Sequence, residues 1–466
     1  MKSDAFSSRI GVILAAAGGA VGLGNIWKFP YMLGQNGGGA FLLVYILCVA
    51  VFGVPLMMTE FMMGKRSGKS VFSAYESLVN NRHWNWLPFV TFFSTLLITG
   101  FYCVVTGWCI CYLYYSCVGI FHNIDVNAAN ALFSGLAQNG WQSFACSAVA
   151  VACAAGILWV GVGKGIEQLS KILMPLLLVI LLVLIVRVTM LEGAFRGVAF
   201  LFASDLSKIT PRIILDAMGQ CFYSLSIAMG ALITYGAYMP KNQNVASTTL
   251  QIVVLDTLVA VLAGCAIFPA VFAYGFSPTE GPQLVFCVLP MVFDRMAGGM
   301  FFAALFFALL TIAAVTSAMS LIEMQTAFLY DWSRARTERR ALAGNTDIPR
   351  SLSRHEAISI SSLCSLLVAF VCAWSMSDAA PWLTWGGVNA FDWVDRLTSH
   401  ITLPSIAFFT VLFFGWYVSR DVVVAEMRLY HGVKPWNILA YRFLIRWFIP
   451  IIILLIFLNG IGVISL

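Results

Sequence analysis

Eleven predominantly apolar stretches, each about 20 residues or longer, leave this chain one kind of environment. They lie near 10–33, 39–63, 86–119, 141–161, 166–188, 213–239, 246–275, 296–330, 355–376, 397–419 and 438–464, and are numbered spans 1 to 11 in that order. In hydrocarbon every backbone polar group needs an internal partner, so helices and closed barrels are the structures that cross. The runs are too long and too uniformly apolar for barrel strands, which alternate. With 60% hydrophobic and 10% charged residues, the chain is far from a soluble domain, of which about a quarter is charged. The expected fold class is an all-α polytopic membrane protein with eleven transmembrane helices. Several runs exceed one crossing, which implies tilt or extension beyond the lipid.

The charges give the topology. Lys2 and Arg9 precede span 1. Lys65, Arg66, Lys69 and Arg82 follow span 2. Arg334, Arg336, Arg339, Arg340, Arg350 and Arg354 lie between spans 8 and 9, and Arg420, Arg428, Lys434 and Arg442 between spans 10 and 11. Lys164 and Lys241 occupy short turns on the same side. The opposite loops 120–140 and 377–392 carry no Lys or Arg. The positive-inside rule therefore predicts a multi-pass plasma (inner) membrane protein, N-terminus cytoplasmic and C-terminus extracellular or periplasmic. The net charge of +6 thus records topology, and no nucleic-acid partner is expected. MKSDAFSSRIG leads directly into span 1 without a signal-cleavage pattern. The 331–354 stretch reads as a charged cytoplasmic connection with a turn at Asn-Thr-Asp-Ile-Pro. The twelve Cys lie mostly in apolar runs, where they act as small hydrophobes rather than a disulfide framework. Cys109 and Cys111 lack a nearby His or acid, so no metal site is expected there.

Span 1 contains AAAGGAVGLGNIWKFP, residues 15–30. Each Gly costs about 1 kcal/mol in a helix relative to Ala. Gly18 and Gly22 could form a helix-packing GxxxG pair, but that leaves Gly24, Asn25 and Lys28 unexplained. A dinucleotide fingerprint fails because Trp27 holds the third glycine position. The alternative is a discontinuous helix. Free carbonyls at such a break can replace the hydration shell of sodium, and the second half-helix turns its N–H groups toward an anion. Span 6, DAMGQCFYSLSIAMGALITYGAYMP, clusters Gly219, Gln220, Ser224, Ser226 and Gly230 at its middle. Two breaks that open successive five-span units match the inverted repeats of secondary transporters. The reading is one transporter domain over 1–466: repeats at 10–188 and 213–419, with 438–464 as an extra span.

These residues resemble the neurotransmitter:sodium symporter family, especially its bacterial amino-acid transporters with the leucine-transporter-like fold. The matching stretches, in family order, are AVGLGNIWKFPY with NGGGAFLLVY, GQCFYSLSIAMGALITYGAYM, LDTLVAVLAGCAIFPAVFAYG and AAVTSAMSLIE. The resemblance spans nearly the whole chain. It implies two sodium sites. The first would use Ala20, Asn25, Ser224 and Asp256 with the substrate carboxylate. The second would use Gly18, Val21, Ala313, Thr316 and Ser317. Thr316 and Ser317, read without the family, are ordinary packing hydroxyls. Asp256, alone in an apolar span, is functional by default. The region matching a chloride site in relatives is Tyr45, Gln220, Ser224 and Asp256, with Ala260 one turn on. Asp256 is expected to supply that negative charge, so chloride is not required.

The resemblance places substrate between the two breaks, against Ala20, Gly22, Leu23, Gly24, Ile98, Tyr102, Tyr223, Ser224, Ser226, Met229, Ser317 and Leu321. Monoamine carriers of the family have Asp at the position of Gly22, which here leaves room for the substrate's own carboxylate. The side-chain pocket carries no charge, and a charged substrate would be buried unpaired. A neutral apolar or aromatic amino acid is expected. Lys28 and Asp395 match an outer gate, with Asp392 the lesser partner. Ser3 and Phe6 stand near the positions of an inner lock in relatives. Lys2 or Arg9 would substitute there, with Asp331. Glu60 and Glu323 read as structural or pathway-lining acids. The expected function is sodium-coupled import by alternating access. The alternatives are a sodium-dependent amino-acid receptor or a carrier of another amine. A channel would show repeated filter loops. No metal motif, nucleophile elbow or nucleotide loop points to an enzyme. The partners are the amino acid and the bilayer, and the sequence leaves the oligomeric state open.

Overall fold

The computed structural model describes residue 6 and residues 8–79, 82–279, 283–344, 349–377, 380–428, 435–460 and 462–463, without the side chains of 208, 428 and 435. Among these, nine helices are long and apolar enough to cross a membrane: Gly39–Ser67, Arg82–Val118, Gly140–Trp159, Val162–Thr189, Val245–Ala273, Gly299–Leu342, Arg354–Ser375, Ala390–Tyr417 and Trp436–Gly460. They are spans 2 to 5 and 7 to 11. Span 1 is a bent pair, Arg9–Ala20 and Gly24–Gln35, with 50° between its halves. Span 6 is Pro211–Ser224 and Ala231–Ala237, parted by six residues, 225–230. Each half of span 6 is shorter than a bilayer crossing, so length and apolarity count ten spans. The expected eleven rests on taking this interrupted pair as one.

Spans 2 and 6 meet backbone to backbone. A Cβ on Gly64 would strike the Ile233 carbonyl, and one on Gly236 would sit 2.6 Å from the Phe61 carbonyl. Small residues bring the helices together where lipid supplies no hydrophobic drive. Span 8 packs along span 3 and against span 9, behind the two breaks.

Three features differ from the expected pattern. Span 8 does not end near 330. It continues to Leu342, because DWSRARTERRAL is rich in Arg, Ala and Leu, which favour helix, and ends in arginines that suit its C-terminus. The turn at 345–348 lies outside the described residues. The opposite-side loop 120–140 is itself a helix, Val126–Gln138, capped by the Asp125 carboxylate on Ala128 N–H at 2.7 Å. Finally, Cys111 of span 3 and Cys146 of span 4 are joined as a disulfide. Two cysteines on separate apolar helices look like small hydrophobes in sequence, and only the packing of those helices brings their sulfurs together.

Candidate functional site

The first break follows the glycines. The helix from Arg9 ends at Ala20, and a π turn over Gly24–Lys28 starts the second half, with Phe29 N–H reaching back to Gly24 O. Between them the Gly22 N–H donates to Asn25 Oδ1 at 3.1 Å, and the Leu23 N–H to the Tyr102 hydroxyl at 3.2 Å. The break is thus tied to its own Asn and to span 3.

The second break is built differently. Ser226 (φ 53°), Ala228 (φ 66°) and Gly230 (φ 73°) are left-handed. For Ser and Ala this costs roughly 1–2 kcal/mol each, so the neighbours must hold them. Glu60 Oε1 accepts the Ala228 N–H at 2.7 Å, Thr95 donates to Met229 O at 2.9 Å, and Ser226 donates to Gly19 O at 3.2 Å. Glu60, read from sequence without a definite role, is the support of this loop.

Three residues expected at the first sodium site converge. Asn25 Nδ2 donates to Ser224 Oγ at 3.0 Å, to Asp256 Oδ1 at 2.9 Å and to the Asp256 carbonyl at 3.0 Å. Ser224 Oγ donates to Asp256 Oδ2 at 2.9 Å. All three are wholly buried. Beside them Gln220 Nε2 donates to Gly24 O at 2.8 Å. Among the described residues, Gln220 Oε1 and the buried Tyr45 hydroxyl have no hydrogen-bond partner. Ala260 is buried one turn past Asp256.

Of the residues expected at the second site, Ser317 reaches the first break while Thr316 bonds back within its own helix. Ser317 Oγ lies 3.4 Å from Gly18 O and 3.5 Å from Val21 O. Thr316 Oγ1 donates to Ala313 O and to Ile312 O, each at 3.0 Å. Gly18 and Val21 flank the end of the first half-helix, where carbonyls lose their helical partners.

Between the breaks lies a small cavity, about 20 Å³ at its core, lined by Gly19, Ala20, Gly22, Gly24, Ile98, Tyr102, Tyr223, Ser226, Met229, Ser317 and Leu321. Ten of these eleven were expected; Gly19 was not. It reads in sequence as one more packing glycine, although it lies beside Gly18. Leu23 and Ser224 stand behind the lining, joined to it through Tyr102 and Asn25. No lining residue is charged. A Cβ on Gly22 would strike Ser317 Oγ and come within 2.7 Å of the Tyr102 hydroxyl.

The expected outer gate is placed but not joined. Lys28 Nζ lies 4.2 Å from the centre of the Tyr223 ring, a cation–π distance. Asp395 is the acid whose charge acts most on Lys28, yet among the described residues no ion pair links them. Asp395 instead accepts from Ser399 at 3.1 Å. Asp392 accepts from Asn389 at the start of its helix. On the other side Arg9 donates to Ser247 at 2.9 Å and Asp331 accepts the Ser70 N–H at 2.9 Å, so the suggested Arg9–Asp331 pairing is not formed. Lys2 and Ser3 lie outside the described residues. Phe6 is buried edge-on to Tyr235 and Tyr238. Below it Glu323 accepts two bonds from Arg354, at 3.0 and 2.7 Å, and one from Tyr238 at 2.6 Å. That forked pair was not anticipated, because Glu323 and Arg354 sit on different helices.

Comparisons with known proteins give the family and the fold. The model of the sodium:neurotransmitter symporter family matches residues 3–122 and 120–348. The sodium-dependent transporter YhdH of Bacillus subtilis is 35% identical over 467 residues, 100% of this chain and 99% of its own length. A sodium-dependent transporter of Haemophilus influenzae is 29% identical, covering 98% of each. The crystal structure of MhsT in complex with L-phenylalanine superposes with a TM-score of 0.86 at 36% identity, over 98% of this chain and 99% of that one.

Proposed function

Because the chain belongs to the sodium:neurotransmitter symporter family, and is therefore a sodium-dependent, multi-pass membrane transporter, we propose that it imports a neutral apolar or aromatic α-amino acid. The observation that carries this is the uncharged cavity between the two breaks, bordered by Gly22, Tyr102 and the Leu23 N–H. At about 20 Å³ the cavity is closed down, and it must widen to take an amino acid, whose carboxylate then meets that polar edge at the N–H groups of Leu23, released from Tyr102, and Gly24. Its side chain then lies among Ile98, Tyr223, Met229 and Leu321. Phenylalanine, the ligand of MhsT, has the chemistry this lining accepts, and the flexible Met229 widens the choice.

Sodium travels as co-substrate. At the first site Asn25 Nδ2 now holds three oxygens of Ser224 and Asp256 together, as a small cation would. With sodium there, the Asn25 amide turns to present its oxygen, and the Ala20 carbonyl and the substrate carboxylate complete the shell. At the second site the oxygens of Gly18, Val21, Ala313, Thr316 and Ser317 are neutral, which suits a monovalent ion. Asp256 carries the fixed negative charge beside Tyr45 and Gln220, so transport does not need chloride. The bundle of spans 1, 2, 6 and 7, drawn from both repeats 10–188 and 213–419, then rocks against the rest, with 438–464 outside the repeats. The arginine-rich loops stay in the cytoplasm. Each charge carried inward gains about 2.3 kcal/mol per 100 mV.

The test is thermal melting of the purified protein with each of the twenty amino acids, in sodium and in potassium. A ligand that binds only the folded state raises the melting temperature. Stabilisation by phenylalanine, tryptophan, tyrosine or leucine in sodium alone is expected. Equal stabilisation in potassium, or none by any amino acid, overturns the reading.

A further inference from the structure

A second cavity, about 350 Å³, lies far from the breaks at the arginine-rich end of spans 10 and 11. It is lined by Arg420 and Val424 on one side and by Ile438, Leu439, Arg442, Phe443, Arg446 and Trp447 on the other. The spacing is that of helix faces: 439, 442, 443, 446 and 447 form one stripe of span 11, and 420 and 424 one stripe of the short helix Arg420–Arg428.

Three guanidinium groups therefore converge, and the structure offers them little. Arg420 and Arg446 are the cations that act on Arg442, with Asp421 the acid that does so. Among the described residues no ion pair engages any of the three. Arg442 Nη1 and Arg446 Nε are buried with no hydrogen-bond partner among those residues. Leaving such donors unpaired is costly, and gathering three like charges adds to that cost. The Arg446 guanidinium is held in place by indoles: its carbon is 4.2 Å from the Trp416 ring centre and 5.9 Å from that of Trp447. The contrast is the other arginine-rich cavity, at Arg336, Arg339 and Arg340, where Glu76 pairs with Arg339 at 2.7 Å.

We propose that Arg420, Arg442 and Arg446 form a binding site for a phosphate group. A planar guanidinium matches two phosphate oxygens at once, and an anion satisfies the orphaned donors and offsets the repulsion. The surroundings point to a phospholipid as the source. Leu439, Phe443 and Trp447 are half or more exposed on the same stripe, and Trp436 more so. Tryptophans mark the level of lipid headgroups, and basic pockets between helices at that level take anionic ones. Acyl chains run along the apolar stripe while the phosphate sits on the arginines. This site does not depend on which amino acid is carried.

The experiment titrates the full-length protein, in neutral detergent, with dioctanoyl phosphatidylglycerol, dioctanoyl phosphatidylcholine and inorganic phosphate, reading the melting temperature. The expected result is stabilisation by phosphatidylglycerol at concentrations where phosphatidylcholine gives none. Stabilisation by inorganic phosphate to the same extent supports the site and assigns it to the free anion. Arg442→Gln and Arg446→Gln should each weaken phosphatidylglycerol at least about tenfold, the loss of a charge-assisted bond. Arg420→Gln, on an exposed residue, should weaken it severalfold without harming the fold and keeps the test open if the other two do not fold. Arg336→Gln, at the acid-paired cavity, should change nothing. Equal effects of both lipids with no response to phosphate, or an Arg420→Gln protein that binds phosphatidylglycerol as the parent does, overturns the proposal.

Discussion

The two breaks do the same thing to a helix by opposite means. The first is short, bends its span by 50° and uses glycines, with its own Asn25 receiving the freed Gly22 N–H. The second is six residues long and sets a serine and an alanine in left-handed conformations. It is held from outside by Glu60 of span 2 and Thr95 of span 3. The first break owes its shape chiefly to its own residues, with one tie to span 3 at Tyr102, and can give its polar groups to ions and substrate. The second owes its shape to the scaffold and forms the opposite wall of the cavity. Strain of this kind persists only where the surroundings over-determine it.

The largest effect should come from the first break's anchor. Asp256→Ala removes the carboxylate that accepts from Ser224 Oγ and Asn25 Nδ2 in a wholly buried place, leaving Asn25 only Ser224 Oγ and a backbone carbonyl. Sodium-dependent binding of the amino acid should fall at least about a hundredfold, as expected when one partner of a buried charged network is removed. Scintillation-proximity binding across a sodium titration reads this directly, and an unchanged sodium midpoint would detach Asp256 from the ion. Next comes the second break. Glu60→Ala orphans the Ala228 N–H and should cost about 2 kcal/mol, seen as a lower melting temperature with and without ligand. Glu60→Gln keeps an acceptor and should recover most of it. Equal losses for both variants would mean that the charge, not the acceptor, supports the loop. The smallest effect is at the join between the breaks and span 3. Tyr102→Phe removes the acceptor of the buried Leu23 N–H and should weaken substrate about fivefold, one hydrogen bond's worth, with a smaller fall in the melting temperature of the ligand-free protein than Glu60→Ala gives.

Much of the site was legible in the sequence because it is made of exceptions. Asp256, Asn25, Gln220 and the paired hydroxyls of Thr316 and Ser317 stand out against apolar surroundings, and glycines mark both interruptions. The pocket followed from the resemblance, residue by residue, with Gly19 the omission. What escaped were partnerships across the fold. Glu60 was visible as an acid, but nothing in its own span says that it grips the backbone of Ala228. Glu323 and Arg354 are 31 positions apart, and Cys111 and Cys146 are 35 apart, on helices whose mutual rotation no local pattern records. Lys28 and Asp395 were paired by analogy, yet in this structure Lys28 rests on the Tyr223 ring.

The sequence by itself determined that the chain crosses a membrane many times, where two of its helices must break, and that its cations gather in alternate loops. Hydrocarbon penalises glycines and unpaired polar groups, so their positions are informative one at a time. Only the tertiary structure decided who holds whom: Glu60 on the second break, Arg354 on Glu323, and three arginines facing one cavity with no ion pair among the described residues. Those are matters of distance between helices. Helix packing among apolar faces is set by shape summed over many side chains, which no single residue announces.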